Sequence, residues 1–128
     1  MARGETVSAA VGIGLRAGAS VDAIVCGVRE ALARAGLDAA ALYAPRGKHG
    51  PALAEAAKRL GVSLHLCDEA ALKAAAGVVS FSARVAALYG VGSVAEAAAL
   101  LGAGPQARIV VAKFSADGVG CAVARGEP

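Results

Sequence analysis

Apolar and polar positions in the first part of the chain change from a strand pattern to a helix pattern. Residues 6–14 are a run of small and apolar residues that predicts a buried strand ending in glycines. From Ser20, a good N-cap residue, the apolar positions follow helical spacing. These positions are Val21, Ile24, Val25, Val28, Leu32 and Ala35. Gly36 is predicted to end the helix, since glycine adopts the left-handed conformation that helix C-termini favour.

The same alternation of strand and helix continues to about residue 76. In chain order, the pattern predicts a strand over 40–44, a helix ending near Leu60 before Gly61, a strand over 62–66 and a short helix capped by Asp68. A loop rich in glycine, proline and cations, residues 45–51, separates the first of these strands from the helix that follows it. Such alternation is typical of parallel strands joined by right-handed crossovers.

The next part of the chain predicts one further helix. Residues 77–82 are irregular, and Ser82 is expected to cap a short helical turn. Ser93 and Glu96 have the spacing of a capping box ahead of an alanine-rich helix that ends near Leu101. The sequence leaves open whether Ser93 and Glu96 serve only as cap residues or also contact a ligand.

The hydrophobic pattern of residues 108–124 predicts two consecutive strands. Residues 108–114 and 119–124 read as strands on either side of Asp117-Gly118, a dipeptide typical of a two-residue hairpin turn. We therefore expect residues 1–128 to form a single α/β domain, a three-layer α/β/α sandwich. Its sheet should be mixed but mostly parallel, with about five strands, and should end in an antiparallel hairpin.

Composition narrows the class of protein. Of 128 residues, 57% are hydrophobic but only 3% aromatic, so the core should consist of closely packed small side chains. No run approaches the ~20 apolar residues of a membrane span, and no signal peptide is evident. Cys26, Cys67 and Cys121 form no Cys-x-x-Cys motif, which favours free thiols in a reducing compartment. We expect a cytoplasmic protein.

The net charge of +3 comes from dispersed basic residues. This distribution gives no basic run or aromatic platform, so neither nucleic acid nor a membrane is an expected partner. A modest positive balance suits a small anionic ligand better. His49 and His65 have no cysteine or carboxylate at ligand spacing, so no metal site is expected. No cofactor is expected from the sequence.

The glycine-rich segment between the first strand and the first helix is the first candidate site. Its candidate ligand-binding residues are Gly12, Gly14, Arg16, Gly18, Ala19 and Ser20. Backbone N–H groups without neighbouring side chains, next to a helix N-terminus, favour an anion, and Arg16 adds a charge. The spacing is one residue too long for a dinucleotide fingerprint. The glycines are also consistent with a turn that only allows close packing.

Cations after the strands form the second candidate set. In a parallel sheet, ligands lie beyond the carboxyl ends of the strands. Arg16 follows the first strand, Arg46, Lys48 and His49 follow the second, and Lys113 lies on a later one. Several cations at one edge would suit a ligand with several carboxylates, although such residues are also commonly solvated. No catalytic nucleophile–base arrangement is evident, so the catalytic residues remain unknown.

Taken in order, several segments resemble one family. Val11-Gly-Ile-Gly-Leu-Arg-Ala-Gly-Ala-Ser20 is similar to the opening motif of the CobE proteins and of the C-terminal domain of CbiG, both of cobalamin (vitamin B12) biosynthesis. The further matches are Lys48 before the helix with Leu53 and Ala54, Leu60-Gly-Val-Ser-Leu64, Ser82-x-x-Val85, Gly90–Leu100, and Lys113 and Gly118 with 119–125. The resemblance covers nearly the whole chain, which looks like the free-standing CobE form rather than a fused CbiG.

The resemblance implies cytoplasmic work on corrin-ring intermediates. Its leading implication is a carrier or accessory factor that binds a polycarboxylate corrinoid or precorrin, with other enzymes of that biosynthesis as further partners. A second implication is an enzyme that hydrolyses or rearranges a ring-contracted precorrin, as in CbiG-type lactone opening, with Lys48, Ser82 or Lys113 as candidate participants. A third hypothesis is a nucleotide-binding or structural module. The ligand-binding candidates then also include Arg46, Lys48, Gly92, Ser93, Glu96 and Lys113.

Two departures from the family pattern bear on mechanism. Leu15 and Ala17 stand where the family commonly has a cysteine and a second basic residue. The acidic residue that follows the loop lysine in the family is also missing, since Lys48 is followed by His49. A mechanism that requires that thiol or that carboxylate is therefore not expected here.

Overall fold

The order of strands and helices follows the predicted alternation. The structure is a computed structural model that describes residues 9–74, 94–104 and 106–126. Its elements are β1 (Ala9–Leu15), α1 (Val21–Ala35), β2 (Ala41–Pro45), α2 (Gly50–Leu60), β3 (Leu64–Cys67), α3 (Glu69–Ala74), α4 (Val94–Ala103), β4 (Arg108–Ala116) and β5 (Val119–Arg125). The predicted irregular segment 77–82 and the turn at Ser82 lie outside the described residues.

The described strands form one mixed sheet in the order β3-β2-β1-β5-β4. Strands β1, β2 and β3 pair in parallel, whereas β5 is antiparallel to both of its neighbours. Strand β4 therefore runs in the same direction as β1, and β5 alone among these five strands runs the other way. The predicted mixed, mostly parallel sheet that ends in an antiparallel hairpin is confirmed.

Helices cover both faces of the sheet and so give the predicted three layers. One face packs against α1 and α2 and is lined by Val11, Ile13, Leu42, Ala44, Val111, Val119, Cys121 and Val123. On the other face, Ala10, Ala122 and Ala124 pack against α4. Helix α3 packs on α4 through Leu72. Within the described residues, no helix is both long and apolar enough to cross a membrane.

Helix α4 lies unusually close to the centre of the sheet. A Cβ atom at Gly12 of β1 would collide with the Ala95 carbonyl oxygen and would lie 2.5 Å from the Ala99 nitrogen. At the other end of α4, a Cβ atom at Gly102 would meet the ring of Tyr43. The backbone of β1 at Gly12 thus packs directly against the backbone of α4. This close contact explains why small residues dominate α4 and why residue 12 is a glycine.

The signals for helix ends and turns at Ser20, Gly36, Gly61 and Asp117-Gly118 are confirmed. The Ser20 hydroxyl accepts a hydrogen bond from the Ala23 N–H at 3.1 Å, as an N-cap does. Gly36 and Gly61 both follow their helices with a φ near +70° (70° and 71°). The hairpin turn has positive φ at Asp117 (54°) and at the following glycine, the pattern of a type I′ turn.

Most element boundaries differ from the prediction by one or two residues. Strand β1 continues to Leu15, because pairing with β5 extends along its whole length. Helix α2 already begins at Gly50, since a proline in the first helical turn costs no hydrogen bond. Strand β3 begins at Leu64, two residues later than predicted. Helix α3 does follow Asp68, whose carboxylate accepts a hydrogen bond from Arg46 Nε at 3.1 Å.

Candidate functional site

The edge of the sheet where β1, β2 and β3 end also holds the tip of the β4–β5 hairpin. Because β5 runs antiparallel to β1, Leu15 at the end of β1 pairs with Val119 at the start of β5. The Arg16 N–H then donates a hydrogen bond to the Gly118 carbonyl at 2.9 Å. The loop after β1 and the hairpin turn are thereby joined at this edge, which we call the carboxyl edge.

Two glycines lie side by side on the α4 face of this edge. Gly14 of β1 pairs with Gly120 of β5, and both are partly exposed. Helix α4 covers the sheet at Gly12, but near Gly14 only its first residues approach, at 3.6 Å between the Val94 Cβ and a Cβ atom built on the glycine. Gly14 and Gly120, here called the glycine shelf, therefore present backbone without side chains.

Two polar side chains of β4 border the glycine shelf. A Cβ atom built at Gly120 would lie 3.4 Å from Ser115 Oγ and 3.8 Å from Lys113 Cδ. Both side chains are exposed. The sequence predicted Lys113 as a candidate, but it gave no reason to select Ser115 or Gly120. Whether Ser115 and Gly120 face each other depends on the register of β4 against β5. A hairpin turn alone does not fix this register when the strands contain bulges beyond the turn.

A buried carboxylate lies next to this group. Glu96 of α4 is completely buried, and its Oε2 accepts a hydrogen bond from the backbone N–H of Lys113 at 2.9 Å. A buried carboxylate is costly unless donors satisfy it, so this bond ties α4 to β4. The sequence predicted Glu96 as a cap or ligand residue. Its contact with β4 is a tertiary feature that local spacing does not show.

The predicted cations divide into paired and unpaired ones. Arg46 forms an exposed ion pair with Asp68, at 3.1 Å between Nε and Oδ1, and its Nη2 lies 3.5 Å from the Leu66 carbonyl. Arg16, Lys48 and Lys113 are exposed and make no ion pair within the described part of the chain. Three cations on the carboxyl edge thus have no internal counter-ion among the described residues.

The structure places the remaining predicted site residues as follows. Gly12 lies beneath α4 and away from the carboxyl edge, and the Ser20 hydroxyl serves as the N-cap of α1. Gly18 has a φ of 84° in the exposed turn. Ala19 packs near the hairpin tip, with its Cβ 3.8 Å from a Cβ atom built at Gly118. The candidates Ser82, Gly92 and Ser93 lie outside the described residues.

The two buried thiols, Cys67 and Cys121, are expected to be unreactive. Burial raises the pKa of Cys121 from its ordinary 9.0 to about 12. Burial also raises the pKa of Cys67, an effect that a backbone hydrogen bond at Ala44 partly opposes. Neither thiol forms a reactive thiolate near neutral pH. Among residues 9–74, 94–104 and 106–126, no group of three or more His, Cys, Asp or Glu side chains is placed to hold a metal ion.

Comparisons with known proteins agree with this architecture. The sequence matches the family described as "Cobalamin synthesis G C-terminus" over residues 9–124. A crystal structure of CobE, a protein from the cobalamin (vitamin B12) biosynthetic pathway, is similar with a TM-score of 0.82 and 31% identity, covering 93% of this chain and 90% of that one. The cobalamin biosynthesis protein chiG from Agrobacterium tumefaciens str. C58 is similar with a TM-score of 0.69 and 34% identity, covering 91% of this chain and 96% of that one. No curated protein sequence matches the chain significantly. The chain therefore belongs to the family of the cobalamin synthesis G C-terminal domain.

Proposed function

We propose that this domain binds a polycarboxylate corrin-ring intermediate at its carboxyl edge, as a carrier or accessory factor. Its family and its similarity to CobE and chiG support involvement in cobalamin biosynthesis. The observation that carries the proposal is the set of exposed cations Arg16, Lys48 and Lys113 on the edge that also holds the glycine shelf. Cations without internal partners are available to carboxylates from outside.

The chemistry of a corrin intermediate fits these features. The ring is a broad apolar macrocycle with acetate and propionate groups around its rim. A surface without side chains allows such a ring to approach the backbone closely, and nearby cations can bind its rim. Three charge-assisted hydrogen bonds from exposed cations, at roughly 1 kcal/mol each, contribute about 3 kcal/mol, against the ~8.2 kcal/mol of micromolar binding. Apolar contact with the ring has to supply the remaining ~5 kcal/mol, which corresponds to about 200 Å² of buried apolar surface.

A visible-absorption titration with hydrogenobyrinic acid tests the proposal. The wild-type protein should shift the spectrum of the added corrinoid and retain its colour through gel filtration. The double variant Arg16→Ala/Lys48→Ala should bind about 10- to 30-fold more weakly, because each exposed cation contributes on the order of 1 kcal/mol. The loss should be larger at low salt, where screening is weaker.

A matched control and a second assay complete the test. Lys58→Ala removes an exposed lysine from the last turn of α2, away from the carboxyl edge, and should leave the affinity unchanged. A wild-type protein that fails to shift the spectrum, or a double variant with wild-type affinity, would contradict the proposal. Incubation with a lactone-bearing intermediate then separates carrier from enzyme: an unchanged ligand mass supports the carrier, and a mass change supports the CbiG-type hydrolase.

A further inference from the structure

The register of β4 against β5 changes the face on which the β4 side chains lie. Val111 pairs with Val123, and Phe114 pairs with Cys121, so three steps along β4 match two along β5. Without this bulge, Phe114 would lie on the opposite face from Val111, since side chains alternate along a strand. Instead, both pack in the core beneath α1. The bulge therefore moves the next side chain, Ser115, to the face of the glycine shelf.

Lys113 lies within this bulge, and its backbone is held by α4, which lies on the same face of the sheet as the glycine shelf. A bulge leaves a backbone group outside the regular ladder. Here the Lys113 N–H donates to Oε2 of the completely buried Glu96 on α4. The Lys113 side chain leaves this fixed backbone and passes over Gly120, with its Cδ 3.8 Å from where a Cβ atom would be. Its exposed ammonium group makes no ion pair in the described ranges.

We propose that Lys113 Nζ and Ser115 Oγ together bind one carboxylate of the ligand above Gly120, and that Glu96 is the residue that positions Lys113 by holding its backbone in the bulge. Both groups donate hydrogen bonds to the carboxylate oxygens, the ammonium with charge assistance. Gly120 supplies the space, because a Cβ atom there would lie 3.4 Å from the Ser115 hydroxyl and 3.8 Å from the Cδ of the lysine stem. This inference rests on the proposed function and assigns a specific subsite to it.

Binding of hydrogenobyrinic acid to three single variants tests the subsite. Lys113→Met keeps most of the apolar stem but removes the charge, and should weaken binding about tenfold. Gly120→Ala places a methyl group next to the Ser115 hydroxyl and the Lys113 stem, where the carboxylate should lie, and should weaken binding to a similar degree. Its contacts of 3.4 and 3.8 Å are close to ordinary van der Waals distances, so the fold should persist. Ser115→Ala should cost less, about threefold, since it removes a neutral donor.

The positioning role of Glu96 needs a readout that loss of stability alone would not change. Glu96→Met has a similar size but cannot accept the Lys113 N–H, so the lysine should lose its fixed position. Its effect on binding should therefore be non-additive with Lys113→Met: the double variant should bind no more weakly than Lys113→Met alone. Additive losses would overturn the positioning role.

The control and the decisive outcomes separate this inference from the proposed function. Lys58→Met, on α2, should bind as the wild type does. If the wild type binds no corrinoid, the proposed function fails. If the wild type binds but Lys113→Met and Gly120→Ala bind equally well, the subsite is wrong while the proposed function stands. Should Glu96→Met fail to fold, as judged by circular dichroism, Glu96→Gln becomes the test. Its amide oxygen still accepts the Lys113 N–H, so it should bind within about twofold of the wild type, and a loss as large as that of Lys113→Met would overturn the positioning role.

Discussion

Replacement of Gly12 by alanine should separate α4 from the sheet. The added Cβ would collide with the carbonyl oxygen of Ala95 and would lie 2.5 Å from the nitrogen of Ala99. Both are backbone atoms of one helix, so no single side chain can move aside to relieve the contact. The whole of α4 would have to shift outwards by an ångström or more, which would loosen its alanine contacts with β1 and β5.

The expected loss of stability follows from this geometry. Overpacking of a core typically costs about 1–3 kcal/mol of stability. We expect a cost near ~3 kcal/mol here, because the added Cβ would meet backbone atoms, which cannot move aside as a side chain can. For a chain of this length, about 3 kcal/mol lowers the melting temperature by roughly 12 °C. Thermal unfolding followed by circular dichroism at 222 nm measures this shift directly, and urea titration gives the free energy of unfolding independently.

Gly14→Ala is the matched control for Gly12→Ala. Gly14 lies two residues further along β1 on the same face, but its added Cβ would lie 3.6 Å from the nearest atom of Val94, an ordinary contact. We expect its melting temperature to stay within about 2 °C of the wild type, which is about 0.5 kcal/mol. Equal melting temperatures for the two variants would refute the argument that close packing of α4 requires Gly12.

Two further predictions concern the thiols and the hairpin. At pH 8, a thiol reagent should label the exposed Cys26 quickly and leave Cys121 unlabelled, because labelling needs the thiolate and a pKa of about 12 keeps the Cys121 thiol protonated. Cys121 should react at this pH only after unfolding. Fast labelling of Cys121 in the native protein would contradict its burial. Gly118→Ala should lower the melting temperature by about 4–8 °C, because a φ of 80° costs an L-residue roughly 1–2 kcal/mol. Gly47→Ala, where no positive φ and no close atom occurs, should change it little.

Local signals predicted most of the fold. Ser20, Gly36 and Gly61 act through hydrogen bonds and φ values within a few residues, so their roles can be read from the chain. The hairpin turn is local in the same sense. The order β3-β2-β1-β5-β4 is not local, but alternating strands and helices followed by a hairpin leave few arrangements that satisfy right-handed crossovers.

The candidate site was harder to predict, because its residues meet only through pairing across the sheet. The sequence left open whether Gly12 and Gly14 serve packing or binding, and the structure places them differently: Gly12 beneath α4, Gly14 on the glycine shelf. Gly120 becomes a site residue only because β5 pairs with β1 in that register. The position of Ser115 on this face depends in addition on the bulges of β4, which no residue of the turn predicts.

The antiparallel strand explains why polar groups from both ends of the chain meet at one edge. A parallel strand beside β1 would need a crossover connection of a dozen or more residues, usually a helix. Because β5 runs the other way, a two-residue turn suffices, and the Gly118 carbonyl lies within hydrogen-bond distance of the loop that follows β1. The hairpin then carries Lys113 to the same edge as Arg16. The charges of that edge are therefore a consequence of topology, and residues more than 90 positions apart act as one surface.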